Sequence, residues 1–323
     1  MKNVQDAASH AARTGPFFVV LNPGSGERDT EEEKQTICRI FKENGRDFEL
    51  MEAGGAEPMD LLARRAVALA KARKGVVVAA GGDGTLNAVA NAVLGSGCPF
   101  GVLPRGTFNY FGRDHGISQE TEASVRALLG ASISPVQVGR VNGRVFLVNA
   151  SVGLYPQMLE NREAWKQQWG RSRFVAFVSG MASLLQAQRQ LQLRIESAGE
   201  ATSLRTPTLF VGNNHLQLMR AGIDSEHAAA VAHGQLVGIV VRPIGTLALF
   251  GLLVRGLLGR LGEAENVQSF AFRRLSVTPR GMHRIKVATD GEVVWMQTPL
   301  VFEVAPEPLL LLVPAPADRA EVA

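Results

Sequence analysis

An apolar run, Val76, Val77, Val78, Ala79 and Ala80, breaks into Gly81-Gly82-Asp83-Gly84-Thr85, and a helical pattern follows at once with Leu86, Val89, Ala90, Val93 and Leu94. The run reads as a buried parallel strand that turns sharply into a helix, the unit of an α/β sheet. Glycines at such a turn let the backbone adopt positive φ and come close to a ligand. The helix start beyond them offers N–H groups and a positive dipole end, which suit phosphate. Asp83 puts a carboxylate where an anion should bind. That fits a carboxylate working through Mg²⁺, or as a base toward an attacking hydroxyl. A tight strand-to-helix turn with an Asp cap is the competing reading.

The loop has company. Phe17, Phe18, Val19, Val20 and Leu21 form a second expected strand, followed by Asn22, Pro23, Gly24, Ser25 and Gly26. Residues 99–104 form a third, followed by Arg105, Gly106, Thr107, Phe108 and Asn109. In an open parallel sheet all these loops lie at the carboxyl edge, where ligands bind. Asn22 and Asn109 taken singly read equally well as turn or cap residues. The loops together imply a phosphate-binding crevice.

With the distant Asp290-Gly291-Glu292, these segments resemble the diacylglycerol kinase catalytic domain family, which bacterial lipid kinases and sphingosine kinases share. The family pattern is Asn-Pro-x-Ser-Gly, Gly-Gly-Asp-Gly-Thr, Pro-x-Gly-Thr-x-Asn and Asp-Gly-Glu, and all of it occurs here in order, over roughly residues 17–314. The resemblance implies an ATP-dependent lipid kinase that uses Mg²⁺ and phosphorylates a hydroxyl of diacylglycerol or a related lipid. It implies nucleotide contacts from Asn22, Pro23, Gly24, Ser25, Gly26, Gly81, Gly82, Gly84, Thr85, Leu86, Asn87, Gly106, Thr107 and Asn109. It implies catalytic roles for Asp83, Asp290 and Glu292, as base or metal-linked acids in a site between two domains. By its own residues, Asp290-Gly291 is a hairpin turn. Two alternatives stay open: a NAD kinase-like phosphotransferase, which shares Gly-Gly-Asp-Gly-Thr, and a non-catalytic lipid or nucleotide sensor on the same fold.

The chain departs from the family in places. Many members have Asp after the Asn of the third loop; here it is Tyr110, with Arg113 and Asp114 shortly after. Asp114 lies about a helical turn further on. An Asp-rich turn that holds a structural Mg²⁺ in some lipid kinases reads Ala232-His233-Gly234 here, without a carboxylate. Ala53-Gly54-Gly55 stands where a nucleotide-contacting Thr is expected.

Strands and helices alternate through the first part. Residues 30–44 read as a helix with Glu31, Glu32 and Glu33 in its first turn, favourable at the positive dipole end. Residues 48–51 read as a strand, 58–73 as a helix, and 109–115 and 120–129 as further helices. After Pro135 the pattern turns to β: a hairpin around Asn142-Gly143, then strands at 191–195, 208–211, 236–241, 267–277, 284–288, 293–295, 299–304 and 309–313. The expected fold is an α/β N-terminal domain with a parallel sheet (NAD kinase/diacylglycerol kinase-like) and a mostly antiparallel β-sandwich C-terminal domain. Expected boundaries are residues 15–135 for nucleotide binding and 136–314 for the lipid substrate, with 1–14 and 315–323 as flexible tails.

With 323 residues, 46% of them hydrophobic and 20% charged, the composition is that of a globular chain with ample core. The net charge of +4 suits a nucleotide or an anionic membrane surface and is too small to argue nucleic-acid binding. Cys38 and Cys98 form neither a disulfide framework nor a zinc pattern. No histidine pair has ligand spacing, and His115 and His283 read as surface residues. The polar start lacks an apolar signal core, so a cytoplasmic location is expected, with peripheral contact at the inner membrane face. Residues 155–190 are helical and basic, and residues 244–261 are apolar apart from Arg255 and Arg260. The second stretch reads either as a helix that meets a bilayer or acyl chain, or as one buried in the core or against a second copy, so a homodimer stays open.

Overall fold

The computed structural model describes residues 2–24, 30–54, 57–154, 156, 190–197, 199–242, 255, 260, 262 and 264–321. Ser25, Gly26 and Gly55 lie outside the described residues, as do nearly all of the stretches 155–190 and 244–261. The chain forms two compact units, Met1–Val138 with Ala305–Ala323, and Gly139–Val304.

The first unit is built on a six-stranded sheet in the order β2-β1-β3-β4-β18-β5. Its strands are β1 (Phe17–Leu21), β2 (Phe48–Glu52), β3 (Val76–Gly81), β4 (Phe100–Pro104), β5 (Ser132–Val136) and β18 (Leu309–Val313). The β1–β2, β1–β3 and β3–β4 pairs are parallel, as the strand–helix alternation predicts. Every residue of β1, β3 and β4 is buried, the mark of strands covered on both faces. Phe17, Val19, Val76 and Val78 meet Ile37, Ile40 and Phe41 of α2 (Thr30–Glu43), the stripe that helical spacing sets on one side. The remaining helices of this unit are α1 (Lys2–Thr14), α3 (Met59–Arg73), α4 (Asp83–Val93), α5 (Tyr110–Asp114) and α6 (Thr121–Leu129).

This unit corrects several expectations. Residues 2–14 are not a loose tail but helix α1, with Ala8, Ala11 and Ala12 buried. Arg46 ties its end down by donating to the carbonyls of Ala12 and Gly15. Near the other terminus, Pro316–Asp318 forms a 3₁₀ turn and the Ala320 N–H reaches the Gly116 carbonyl at 2.9 Å. Strand 309–313 belongs to this first sheet, parallel to β4 and antiparallel to β5, and not to the sandwich. Its Leu-Leu-Leu-Leu-Val sequence suits an interior strand covered on both sides.

The second unit is a sandwich of two antiparallel sheets, β10-β9-β14-β17-β6-β7 and β13-β12-β11-β8-β15-β16. The first of these holds β6 (Gly139–Val141), β7 (Arg144–Phe146), β9 (Leu191–Ser197), β10 (Glu200–Thr206), β14 (Arg274–Pro279) and β17 (Leu300–Val304). The other holds β8 (Asn149–Gly153), β11 (Thr208–Gly212), β12 (Leu236–Val241), β13 (Val267–Phe272), β15 (Arg284–Thr289) and β16 (Glu292–Gln297). Leu193, Ile195, Leu275 and Phe302 from one sheet pack on Val152, Leu209, Leu236 and Val287 from the other. The expected single strand over 267–277 is two strands in different sheets, so the chain crosses the sandwich at Arg273. Two short helices, α7 (His215–Arg220) and α8 (Ser225–Ala230), cover part of the second sheet through Leu218, Ile223 and Ala228 packed on Val237 and Ile239. Their starts are capped by the Asn214 and Asp224 side chains.

Both Asn-Gly and Asp-Gly signals make hairpins. Asn142 and Gly143 have φ of 47° and 85°, and Asp290 and Gly291 have 47° and 91°. Two consecutive positive φ values match the twist of antiparallel strands, and Asn, Asp and Gly accept them most easily.

Candidate functional site

In the first unit the loops after β1, β3 and β4 meet at the carboxyl edge of the sheet. The Asn22 Nδ2 donates to Thr85 Oγ1 at 3.0 Å, and its Oδ1 accepts from the Gly24 N–H at 3.1 Å. The first loop is thereby tied to the first turn of α4. Gly81 allows this, because a Cβ there would lie 2.5 Å from the Thr85 Cβ. The third loop joins through the Arg105 N–H, which donates to the Gly81 carbonyl at 2.9 Å. At Gly106 a Cβ would lie 2.9 Å from the Gly82 Cα and 2.7 Å from Asn109 Oδ1, so the backbone passes Gly82 too closely for a side chain at position 106.

Asn109 shapes the third loop. It sits at φ 46°, a left-handed conformation that Asn tolerates, and its Oδ1 accepts from the Gly106 N–H at 2.9 Å. Its Nδ2 donates to the Gly106 carbonyl and to Gln119 Oε1. Buried Asn109 is therefore a loop-building residue, whereas Thr107 beside it is exposed.

Asp83 is the first residue of α4, half-exposed, where the helix dipole favours a carboxylate. The Gly82 position before this helix makes no side-chain cap, and the Leu86 N–H donates to the Gly82 carbonyl at 3.0 Å. Thr85, Leu86 and Asn87 are buried, and Gly84 is half-buried. The Asn87 side-chain oxygen accepts from Asn91 at 2.9 Å. Tyr110, in the position that departs from the family, stacks on the exposed Phe108 ring with centroids 5.9 Å apart.

Arg105 is a site residue that sequence reasoning missed. Its guanidinium donates to the Asn22 carbonyl at 2.7 Å and to Thr30 Oγ1 at 3.1 Å, and it pairs with Glu33. Thr30 Oγ1 in turn donates to the Pro23 carbonyl at 3.1 Å. The Arg105 and Glu33 side chains are 3% and 6% exposed, so this ion pair is buried beneath the first loop. The only hint in the sequence was the acidic first turn of α2, read as a dipole effect. His115, expected at the surface, is half-buried edge-on to Phe111 at 4.9 Å, and burial lowers its pKa.

In the second unit the Asp-Gly-Glu turn has its own architecture. Asp290 Oδ2 accepts from the Leu147 N–H at 2.7 Å, and Oδ1 from Val148 and Asn149 N–H groups, both at 2.9 Å. The Asp290 N–H returns a bond to the Asn149 carbonyl at 2.9 Å. Asn213 Nδ2 adds a bond to the Leu147 carbonyl at 2.9 Å. Glu292 is exposed and pairs with Arg144 at 2.6 Å, and Arg144 Nε also donates to Thr289 Oγ1 at 3.0 Å.

At the Ala232-His233-Gly234 position the chain makes a 3₁₀ turn, and no group of three or more His, Cys, Asp or Glu residues gathers as a metal site among the described residues. A cavity of about 360 Å³ lined by Val93, Cys98, Pro135 and Leu309 sits at the amino edge of the first sheet, the end opposite the three loops. Burial raises the Cys98 thiol pKa. No helix among the described residues is long and apolar enough to cross a membrane.

The glycine crevice gives a direct test. At Gly82 (φ −81°, ψ −180°) any residue fits the backbone, and an added Cβ meets only Gly106, its Cα at 3.4 Å. Gly82→Val is therefore expected to leave the fold intact and to weaken ATP binding by filling the crevice. Calorimetry finding the parent's affinity in the folded variant would remove the phosphate from this loop.

Residues 16–141 match the diacylglycerol kinase catalytic domain, and residues 156–313 match the YegS C-terminal NAD kinase β-sandwich-like domain. A diacylglycerol kinase of Staphylococcus aureus is 27% identical over 197 residues, 60% of this chain and 61% of that protein. An uncharacterized protein of Synechocystis is 25% identical over 245 residues, 74% of this chain and 54% of that one. The matched regions thus span under two thirds of the length of these relatives. A solved structure of a diacylglycerol kinase from Bacillus anthracis superposes with a TM-score of 0.65 at 17% identity, covering 94% of this chain and 98% of that chain. At that identity the likeness speaks for the fold: an α/β unit with a mostly parallel sheet, joined to an antiparallel sandwich. With both halves matched and the loops in order, the chain belongs to the diacylglycerol kinase catalytic domain family.

Proposed function

We propose that this chain transfers the terminal phosphoryl group of ATP to a hydroxyl of a lipid such as diacylglycerol. The observation that carries this reading is the joining of three glycine-bearing loops at the carboxyl edge of a parallel sheet, with Asp83 at the helix start. Gly81 and Gly106 let the three loops close on one another, with no room for side chains at those two positions, and the start of α4 borders them. These features fit a phosphate chain. Asp83 would hold the Mg²⁺ or receive the acceptor proton. Bound Mg²⁺–ATP supplies an electrophilic phosphorus with part of its charge neutralised. The start of the first loop is pinned at Asn22, which donates to Thr85 and accepts from Arg105.

Asp290 takes a different part from the one expected of it. Three backbone N–H groups already occupy its oxygens, which supports a positioning role: it holds the turn at residues 147–149. Glu292, exposed at the surface beside Arg144, is the acid of this turn that we propose for contact with a substrate.

Asp290→Asn keeps one acceptor oxygen where two served, so at least one charge-assisted bond is lost, worth about 1.5–3 kcal/mol. Its melting temperature is expected to fall together with its turnover. Glu292→Gln breaks only an exposed pair, worth about 0–1 kcal/mol, so it should melt like the parent and lose activity alone. Thermal denaturation beside turnover separates the two. An Asp290→Asn protein with the parent's melting point and no activity would return Asp290 to the role of base.

The assay that tests the function is incubation with labelled ATP, Mg²⁺ and a panel of lipids including diacylglycerol, with NAD as a further acceptor. Label in a lipid supports the proposal. Label in NAD alone replaces it with the nucleotide-kinase reading, and ATP binding without transfer to any acceptor replaces it with a sensor.

A further inference from the structure

Trp295 is 57% exposed, the most exposed large apolar side chain among the described residues. It stands on β16, an edge strand of its sheet, in the hairpin that begins at Asp290 and Gly291. Strand alternation sets its direction. Ile285 and Val287 of β15 enter the sandwich core and Met296 packs against it, so Arg284, Lys286 and Trp295 share the outer face. Lys286 pairs directly with Trp295 in the register. The Lys286 Nζ lies 5.3 Å from the indole centroid and the Arg284 Cζ 5.7 Å. Exposed Met282 and His283 lead into the same strand.

An exposed indole costs solvation and contributes nothing to this core. A large ring with a polar N–H, set between two cations, matches the headgroup layer of a bilayer, where Trp is half apolar and half wet. The outer face of the opposite sheet offers a contrast. It carries Arg194, Arg205 and Arg280, with Arg194 tied to Glu196 at 2.8 Å, and no exposed large apolar side chain among the described residues. The two outer faces point in opposite directions, so one flat surface meets only one of them.

We propose that the β15–β16 edge docks on an anionic phospholipid surface, with Trp295 entering the headgroup layer and Arg284 and Lys286 meeting lipid phosphates. The purpose of this contact rests on the lipid-kinase reading, since a water-insoluble acceptor has to be met at a bilayer. Its existence is measured without ATP.

The chain has 3 tryptophans. Trp165→Phe with Trp169→Phe leaves Trp295 as the single reporter, with circular dichroism to establish that the fold is kept. Vesicles of phosphatidylglycerol are expected to shift its emission to shorter wavelength, vesicles of phosphatidylcholine much less, and salt to reverse the shift. Arg284→Gln with Lys286→Gln is expected to weaken partitioning of the otherwise parental chain by about fivefold per cation removed. Arg205→Gln with Arg280→Gln makes the same charge change on the opposite face and should leave partitioning nearly intact. The proposal is overturned by an unshifted emission with both vesicles, by an equal loss in the opposite-face variant, or by a shift that follows protein concentration without vesicles. The last result would mark a second copy of the chain as the occupant. If vesicles bind and no lipid is phosphorylated, the kinase reading fails alone. If a short-chain soluble acceptor is phosphorylated and vesicles do not bind, the docking surface fails alone.

Discussion

Asp83→Asn is expected to lower phosphoryl transfer by about 100-fold or more, the effect of losing a positioned acid or base. The melting temperature should barely move. Asp83 is half-exposed at the first position of α4, and the loss of a carboxylate from a helix start costs about 0.3–1 kcal/mol. That contrast is what makes the variant informative, because rate and stability are expected to separate. Asp114→Asn provides the comparison. It ends α5, beyond the loop that Asn109 closes, and should leave most of the turnover in place. If Asp83→Asn turns over lipid at the parent's rate, the carboxylate of the glycine turn is only a cap. If Asp114→Asn is the dead variant, the role left vacant at Tyr110 has passed to Asp114.

The second large effect is on stability. Arg105→Met leaves the buried Glu33 carboxylate without its counter-charge, though the Thr121 hydroxyl still donates to it, and removes the donors to the Asn22 carbonyl and Thr30. Removing one member of a buried ion pair costs about 3–5 kcal/mol. Chemical denaturation should show that loss, and ATP affinity should fall with it as the first loop comes untied. Arg105→Met combined with Glu33→Leu tests the cause. An apolar pair of similar volume is expected to recover much of the stability, since neither charge is then buried alone. The tie to Asn22 stays broken, so ATP affinity should remain low. A double variant that binds ATP like the parent would reduce Arg105 to a residue that only fills space.

How much was legible in the residues varied with how local the cause was. Helix α2 was read to within a residue because Glu31, Glu32 and Glu33 mark its first turn and Gly45 follows its end, both local signals. Strands β10 and β5 were missed. β10 is an edge strand, exposed along most of its length, and β5 is an edge strand that carries Pro135, so neither shows an apolar alternation. Helices α7 and α8 span only 6 residues each, too few for a period. At the site, the Gly-bearing loops were evident, but the partners of Asp290 were not.

The sequence by itself determined the features whose causes lie within a few residues. These are the apolar strands that end in glycine loops, the Asn142-Gly143 and Asp290-Gly291 hairpins, and the helix start at Asp83. Backbone conformational limits and side-chain period act locally, so the order of neighbouring residues discloses them. The tertiary structure alone decided which distant groups meet. It took Leu309–Val313 out of the sandwich and into the first sheet. It brought Arg105 to Asn22 across 83 positions, and the Asp290 carboxylate to the Leu147 N–H across 143. Buried polar groups must find partners wherever the fold offers them, and no local pattern records which partner that is.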